Sequence, residues 1–248
     1  MRIVVHGQQA FGKAVLEALL KRGDEVIAVY VAPEKPGGKV DPLKEAALAA
    51  SLPVHQPSSY KDPKVWEEFR ALKPDLQVMA FVTLFVPEEF LNIPTYGSIQ
   101  YHPSLLPAYR GASAINWPII LGEKETGLSI FWPDNGLDTG DVLLQKKTPI
   151  SDTDTLGTVY FDRLFPLGVE AMLESVDLVK AGKAPRIKQG TESIGACLTV
   201  LRIISPLPIH HKAIFVSSGK KEGHFFPYPA FIFFHGMDFG IPLVEIPQ

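Results

Sequence analysis

The chain is 248 residues long, 46% hydrophobic and 21% charged, with a formal net charge of −3. These proportions allow one large domain, or one domain with a small appendage, and exclude a chain that stays disordered along its body. Lysines and arginines are scattered without a basic stripe, which argues against a surface built mainly on nucleic-acid phosphates.

In chain order, residues 2–6 read as a short buried strand rather than a signal segment. Gly7 and Gly12 bracket a turn. Their spacing lacks the Gly-x-Gly-x-x-Gly of a dinucleotide fingerprint and the Gly-Lys-Ser/Thr of a phosphate loop. Phe11, Ala14, Val15, Ala18 and Leu19 then recur at helical spacing, predicting a helix over 11–22 that Gly23 stops. Residues 25–31 form a β-branched strand, and 33–42 a loop rich in Pro, Gly and Lys. Helices are predicted over 41–50 and 64–72, with Val54 in a short strand between them. An apolar strand follows at 76–82, a helical turn at 87–91 and a strand at 98–101. Strand and helix alternating at this interval predict an α/β fold, a Rossmann-like parallel sheet with helices on both faces. Such sheets gather ligand-binding loops at the carboxyl ends of their strands.

Two further strands are predicted at 127–132 and 142–146, then one long helix over 155–181 capped by Asp152 or Thr153. From about Gly190 the composition changes. This stretch holds seven of the 15 phenylalanines and six of the 22 prolines, a proline density that breaks helices and central strands alike. Residues 198–204 and 231–234 are its strand candidates. The lone cysteine, Cys197, has no partner for a disulfide within the chain and belongs to no zinc-like cluster, so a reducing, cytoplasmic setting is expected. No run of about 18 uncharged apolar residues occurs, so no membrane partner is expected.

Two segments can carry chemistry. Gln100-Tyr101-His102-Pro103-Ser104-Leu105-Leu106-Pro107 puts a histidine at the end of a predicted strand, with Pro103 and Pro107 fixing the exit. Taken alone, such a histidine is more often a hydrogen-bonded structural residue. Asp134-Asn135-Gly136-Leu137-Asp138-Thr139-Gly140-Asp141 sets three carboxylates and two glycines between two strands. Asp, Asn and Gly belong in solvated turns anyway, and the spacing does not match an EF-hand.

Together the two segments resemble the formyltransferase family, whose strand ends in Asn-x-His-Pro-Ser-Leu-Leu-Pro and whose catalytic aspartate lies in a loop resembling Asp-x-Gly-x-Asp-Thr-Gly. The resemblance spans residues 1–188. Gly38–Leu43 and Arg110-Gly111-Ala112-Ser113-Ala114-Ile115-Asn116-Trp117 look most like the hydrolase domain of 10-formyltetrahydrofolate dehydrogenase, with methionyl-tRNA formyltransferase next. It implies the formyltransferase fold and 10-formyltetrahydrofolate as the formyl donor, with an amine acceptor such as methionyl-tRNA. Hydrolysis to formate, or folate binding without catalysis, are the alternatives. It implies neither a metal nor a tightly held redox cofactor.

By the same resemblance His102 serves the oxyanion and the proton transfers, and Asp138 holds His102 in place. Gln100 stands where transferases carry asparagine. It keeps the amide but adds a methylene, so it acts as a displaced donor or merely fills space. A folate pocket is expected along Phe81, Val82, Leu84 and Phe85, with Asn135, Gly136 and Leu137, and Arg110 in reach of substrate. Residues 1–188 are thus expected to form the catalytic domain. Residues 189–248 are expected to be an atypical tail, a replaced or frameshifted end with no recognisable domain.

Overall fold

Seven strands make one sheet in the computed structural model, which describes residues 1–34 and 37–190. They are β1 (Ile3–Gly7), β2 (Val26–Val31), β3 (Val54–His55), β4 (Leu76–Ala80), β5 (Ser98–His102), β6 (Glu125–Phe131) and β7 (Val142–Pro149). The order is β3-β2-β1-β4-β5-β6-β7. The first five strands pair in parallel, as their alternation with helices requires. The last two, whose direction the sequence pattern left open, run antiparallel to their neighbours. Every residue of β1 and β4 is buried, as befits strands covered on both faces.

One face is covered by α1 (Gln9–Lys21), α2 (Pro42–Ala49) and α7 (Phe165–Lys180). Phe11, Val15, Leu16 and Leu19 of α1 meet Ala171, Met172 and Val176 of α7 over Ile3, Val5, Val78 and Ile99. The other face carries α3 (Pro63–Ala71) and the single turn α4 (Glu88–Leu91), with Phe69 and Phe90 packed on Val4, Ala28, Tyr30 and Met79. A short α5 (Asn116–Ile120) precedes β6. Both α2 and α3 start on an Asp-Pro pair. Asp41 and Asp62 each accept from the second helical amide, and the proline occupies a first position that needs no donor.

The helix expected over 155–181 is continuous but not uniform. It runs as α6 (Leu156–Val159), a π-turn (Tyr160–Leu164) and α7. Pro166 sits in the first turn of α7. It lacks an N–H, and its ring would strike the carbonyl four residues back, which a widened turn avoids. The cap is neither Asp152 nor Thr153. Thr155 accepts from Thr158 N at 3.3 Å while the Thr158 hydroxyl accepts from Thr155 N at 3.0 Å, a closed capping box.

The strand expected at 76–82 ends at Ala80, because Phe81 takes φ +65° and turns the chain off the sheet. The strand candidates at 198–204 and 231–234, and the tail beyond residue 190, lie outside the described residues. Among the described residues no helix is long and apolar enough to cross a membrane.

Candidate active site

His102 closes β5. Alternation along the strand puts Ser98, Gln100 and His102 on the face that carries α3 and α4, and Ile99 and Tyr101 on the other. After Pro103 the chain is stitched to β6. Ser129 Oγ donates to Ser104 O at 2.7 Å and accepts from Leu106 N at 3.0 Å. Ser104 Oγ donates to Ala108 O at 2.6 Å. The loop therefore returns beneath the histidine, and the Tyr109 carbonyl accepts from His102 Nε2 at 2.9 Å. That bond places a proton on Nε2 and leaves Nδ1 for chemistry. The Tyr109 hydroxyl is anchored on Glu123 Oε1 at 2.8 Å, and partial burial and that carboxylate together push it up to about 12.

The β6–β7 loop folds back over the same face. Asp134 Oδ1 shapes it by accepting from Gly136 N at 2.9 Å and from the Thr139 hydroxyl at 2.6 Å. Asp138 then adopts φ +53°, and its Oδ2 lies 3.4 Å from His102 Nδ1. The same oxygen accepts from Gly111 N at 2.8 Å. Gly111 gives that amide from φ +82°, a conformation only glycine takes freely. Three separated sequence segments so converge on one pair, with the side chains of His102 and Asp138 only 7% and 11% exposed.

The third wall is the loop after β4. Val82 and Leu84 turn inward against the Tyr30–Phe90 cluster, whereas Phe81, Phe85 and Leu137 stand 42%, 60% and 66% exposed. The two loops meet where Asn135 Nδ2 donates to Glu88 Oε2 at 2.6 Å and Glu88 N donates to Asn135 Oδ1 at 3.2 Å. The residues expected to border a folate therefore differ in setting: Val82 and Leu84 pack inward, Asn135 pairs with Glu88, and Phe81, Phe85 and Leu137 are exposed. Gln100 is half-buried between Met79 and Phe131 in the sheet register, and its amide has no hydrogen-bond partner among the described residues.

Arg110 does not stand free. Its Nε and Nη2 both donate to Gln189 Oε1, at 3.0 and 2.7 Å. Gln189 Nε2 donates in turn to the carbonyls of Asp138 at 2.9 Å and Gly140 at 2.6 Å. Sequence reading missed two members of the site. Tyr109 acts through its backbone carbonyl, which no side-chain motif reports, and Gln189 is 51 residues from Asp138 and beyond both motifs. Two cavities, of about 410 and 370 Å³, lie around Trp132–Arg186 and around Leu106–Val142, and neither is lined by His102, Asp138 or Gln100. Among the described residues no cluster of three or more His, Cys, Asp or Glu side chains is placed to hold a metal.

Comparison with known proteins adds to this geometry. A family model described as formyl transferase matches residues 1–176. Cytosolic 10-formyltetrahydrofolate dehydrogenase of Xenopus tropicalis is 46% identical over 197 residues, 77% of this chain and 22% of that protein. Methionyl-tRNA formyltransferase of Pelotomaculum thermopropionicum is 41% identical over 194 residues, 76% of this chain and 62% of that protein. The crystal structure of phosphoribosylglycinamide formyltransferase from Bacillus halodurans superposes with a TM-score of 0.62 at 26% identity, covering 73% of this chain and 97% of that one. The chain thus spans about a fifth of the length of the dehydrogenases it matches.

Proposed function

The chain belongs to the formyl transferase family, and from that premise we propose that it takes 10-formyltetrahydrofolate and transfers its formyl group to an amine acceptor. The observation that carries the proposal is the His102–Asp138 contact at 3.4 Å. It lies on the strand face that also presents the unpartnered amide of Gln100. With Nε2–H committed to the Tyr109 carbonyl, Nδ1 and the Asp138 carboxylate form a site for one mobile proton.

The chemistry follows from that placement. The acceptor N–H adds to the formyl carbon, and the carbonyl oxygen becomes an oxyanion. Gln100 donates to this oxygen, and a donor fixed in advance is worth about 3 kcal/mol at such a barrier. The proton released by the nucleophile is held between His102 and Asp138. It is then delivered to N10 as the C–N10 bond breaks, giving tetrahydrofolate and a formylated amine. Phe81, Phe85 and Leu137 supply the apolar contact that a pterin ring seeks, and the polar backbone of Asn135 and Gly136 orients it. A methionyl-tRNA acceptor and a cytoplasmic setting belong to the same proposal, resting on the 41% identical relative and on the lone Cys197.

The second reading is hydrolysis, in which water replaces the amine and formate is released. The higher identity to the 10-formyltetrahydrofolate dehydrogenases favours it. One experiment separates the readings. The purified chain is incubated with 10-formyltetrahydrofolate, with and without amines, and tetrahydrofolate and formate are measured. Release that needs an amine supports transfer; formate without an amine replaces it by hydrolysis. His102→Ala is expected to lose about 10²- to 10⁴-fold in turnover, and Gln100→Leu about 10²-fold if the amide donates. Folate binding with no release by the unaltered chain would leave a binding protein and sink both catalytic readings.

A further inference from the structure

We infer that Gln189 is a positioning residue, whose side-chain amide holds Asp138 in the conformation that faces His102. The inference rests on the reading of His102 and Asp138 as the reacting pair. Both halves of the amide are used. Oε1 accepts twice from the Arg110 guanidinium, and Nε2 donates to the Asp138 and Gly140 carbonyls. Turning the amide over would set donors against the guanidinium and oxygen against two carbonyls, so its orientation is fixed by chemistry.

Asp138 needs such a hold. Its φ of +53° lies in a region that a residue with a side chain occupies only when its surroundings insist. Relaxing to negative φ would swing the carboxylate away from His102. The hold comes from both ends of the residue, and from one dipeptide. Gly111 N grips the carboxylate at 2.8 Å, and Arg110 grips the carbonyl through Gln189. Arg110-Gly111, Asp138 and Gln189 close a ring.

Gln189 itself is delivered to a fixed place. Each of the four residues before it is attached to the stretch 132–142. Trp132 Nε1 donates to Pro185 O at 2.9 Å, and the Arg186 guanidinium lies 4.0 Å over the Trp132 ring. Ile187 and Val142 exchange two backbone hydrogen bonds of 2.8 and 2.9 Å, and Lys188 pairs with Asp141 at 3.1 Å. This segment lies past residue 176, where the family match ends, yet it holds the loop that carries the reacting carboxylate.

Two variants of the full chain test the inference. Gln189→Met removes all four bonds. Gln189→Glu keeps an acceptor for Arg110 and turns the other oxygen on the two carbonyls. Both are expected to lower kcat about 10- to 100-fold, to leave KM for 10-formyltetrahydrofolate within about threefold, and to leave the thermal midpoint within a few degrees. A readout independent of turnover is hydrogen exchange of the Gly111 amide, expected to accelerate about tenfold in both as its carboxylate acceptor is released. Unchanged Gly111 exchange in both variants overturns the inference whether or not the protein turns over. So does a Gln189→Glu chain with full kcat, which would leave anchoring of Arg110 as the residue's only task. Faster Gly111 exchange in a chain that shows no turnover even when unaltered supports the hold on Asp138, and the failure then belongs to the proposed reaction.

Discussion

His6 and His102 are the same residue type near the ends of two strands in one sheet, and their surroundings give them opposite uses. His6 is held between the Tyr60 hydroxyl and the Gln77 side chain, each at 2.8 Å, and Ser98 extends the chain to the Leu91 carbonyl. It is 2% exposed, and burial pushes it from 6.5 down to about 3. A buried neutral histidine stabilises the fold only while the unfolded chain is neutral too. Its contribution is full above pH 6.5, the unfolded value, and falls by about 1.4 kcal/mol per unit as acid protonates the unfolded chain, until pH nears 3. Urea unfolding should therefore show a loss of about 2 kcal/mol between pH 7 and pH 5 that His6→Gln largely abolishes. Parallel slopes for the two chains would refute that assignment. His102 was legible in the sequence through its place in an eight-residue motif, whereas His6 gave no signal of its partners. Gln77 comes to it across the sheet from β4, and Tyr60 from the connection between β3 and α3.

Elements were legible where one physical requirement dominates. Strands β1 and β4 are mostly apolar and wholly buried, with His6 and Gln77 as their polar exceptions, and the Asp-Pro pairs mark the starts of α2 and α3. The turn between β1 and α1 shows why Gly7 stands there. A Cβ added to it would sit 2.1 Å from the Ala80 carbonyl oxygen, so the two strands approach closely only because that atom is missing. Gly7→Ala is expected to cost about 2–4 kcal/mol in chemical denaturation, since the obstacle is backbone and cannot step aside. A loss below about 0.5 kcal/mol, the range of an ordinary surface change, would contradict this packing. Other boundaries were not legible. Phe81 and Val82 continue the apolar run of β4 but leave the sheet, because the break is made by a positive φ at a residue that does not advertise one. Pro166 is a visible signal for the π-turn, yet periodicity alone runs straight through it.

At the scale of the molecule, the His102–Asp138 pair could be read from two motifs, but the framework that holds it could not. That framework joins residues 110–111, 138–140 and 185–189, three stretches linked by neither periodicity nor a shared motif. The division expected at residue 188 leaves Gln189, a member of this framework, on the side of the tail. A fragment of residues 1–190 is expected to unfold cooperatively and bind folate. A fragment of 1–181, ending at the C-cap of α7, should keep its far-ultraviolet circular dichroism but bind folate about tenfold more weakly or worse, as the 132–142 stretch loses its attachments. Equal folate affinity in the two fragments would show that the exit segment is dispensable.

The pairing of Arg110 with an amide rather than a carboxylate has an electrical consequence. An amide satisfies hydrogen-bond donors without cancelling charge, and among the described residues no Asp or Glu pairs with this guanidinium. Its positive charge therefore stays without an acidic partner among the described residues. The reach of such a charge through solvent is set by dissolved salt, from about 30 Å in dilute buffer to about 8 Å at physiological ionic strength.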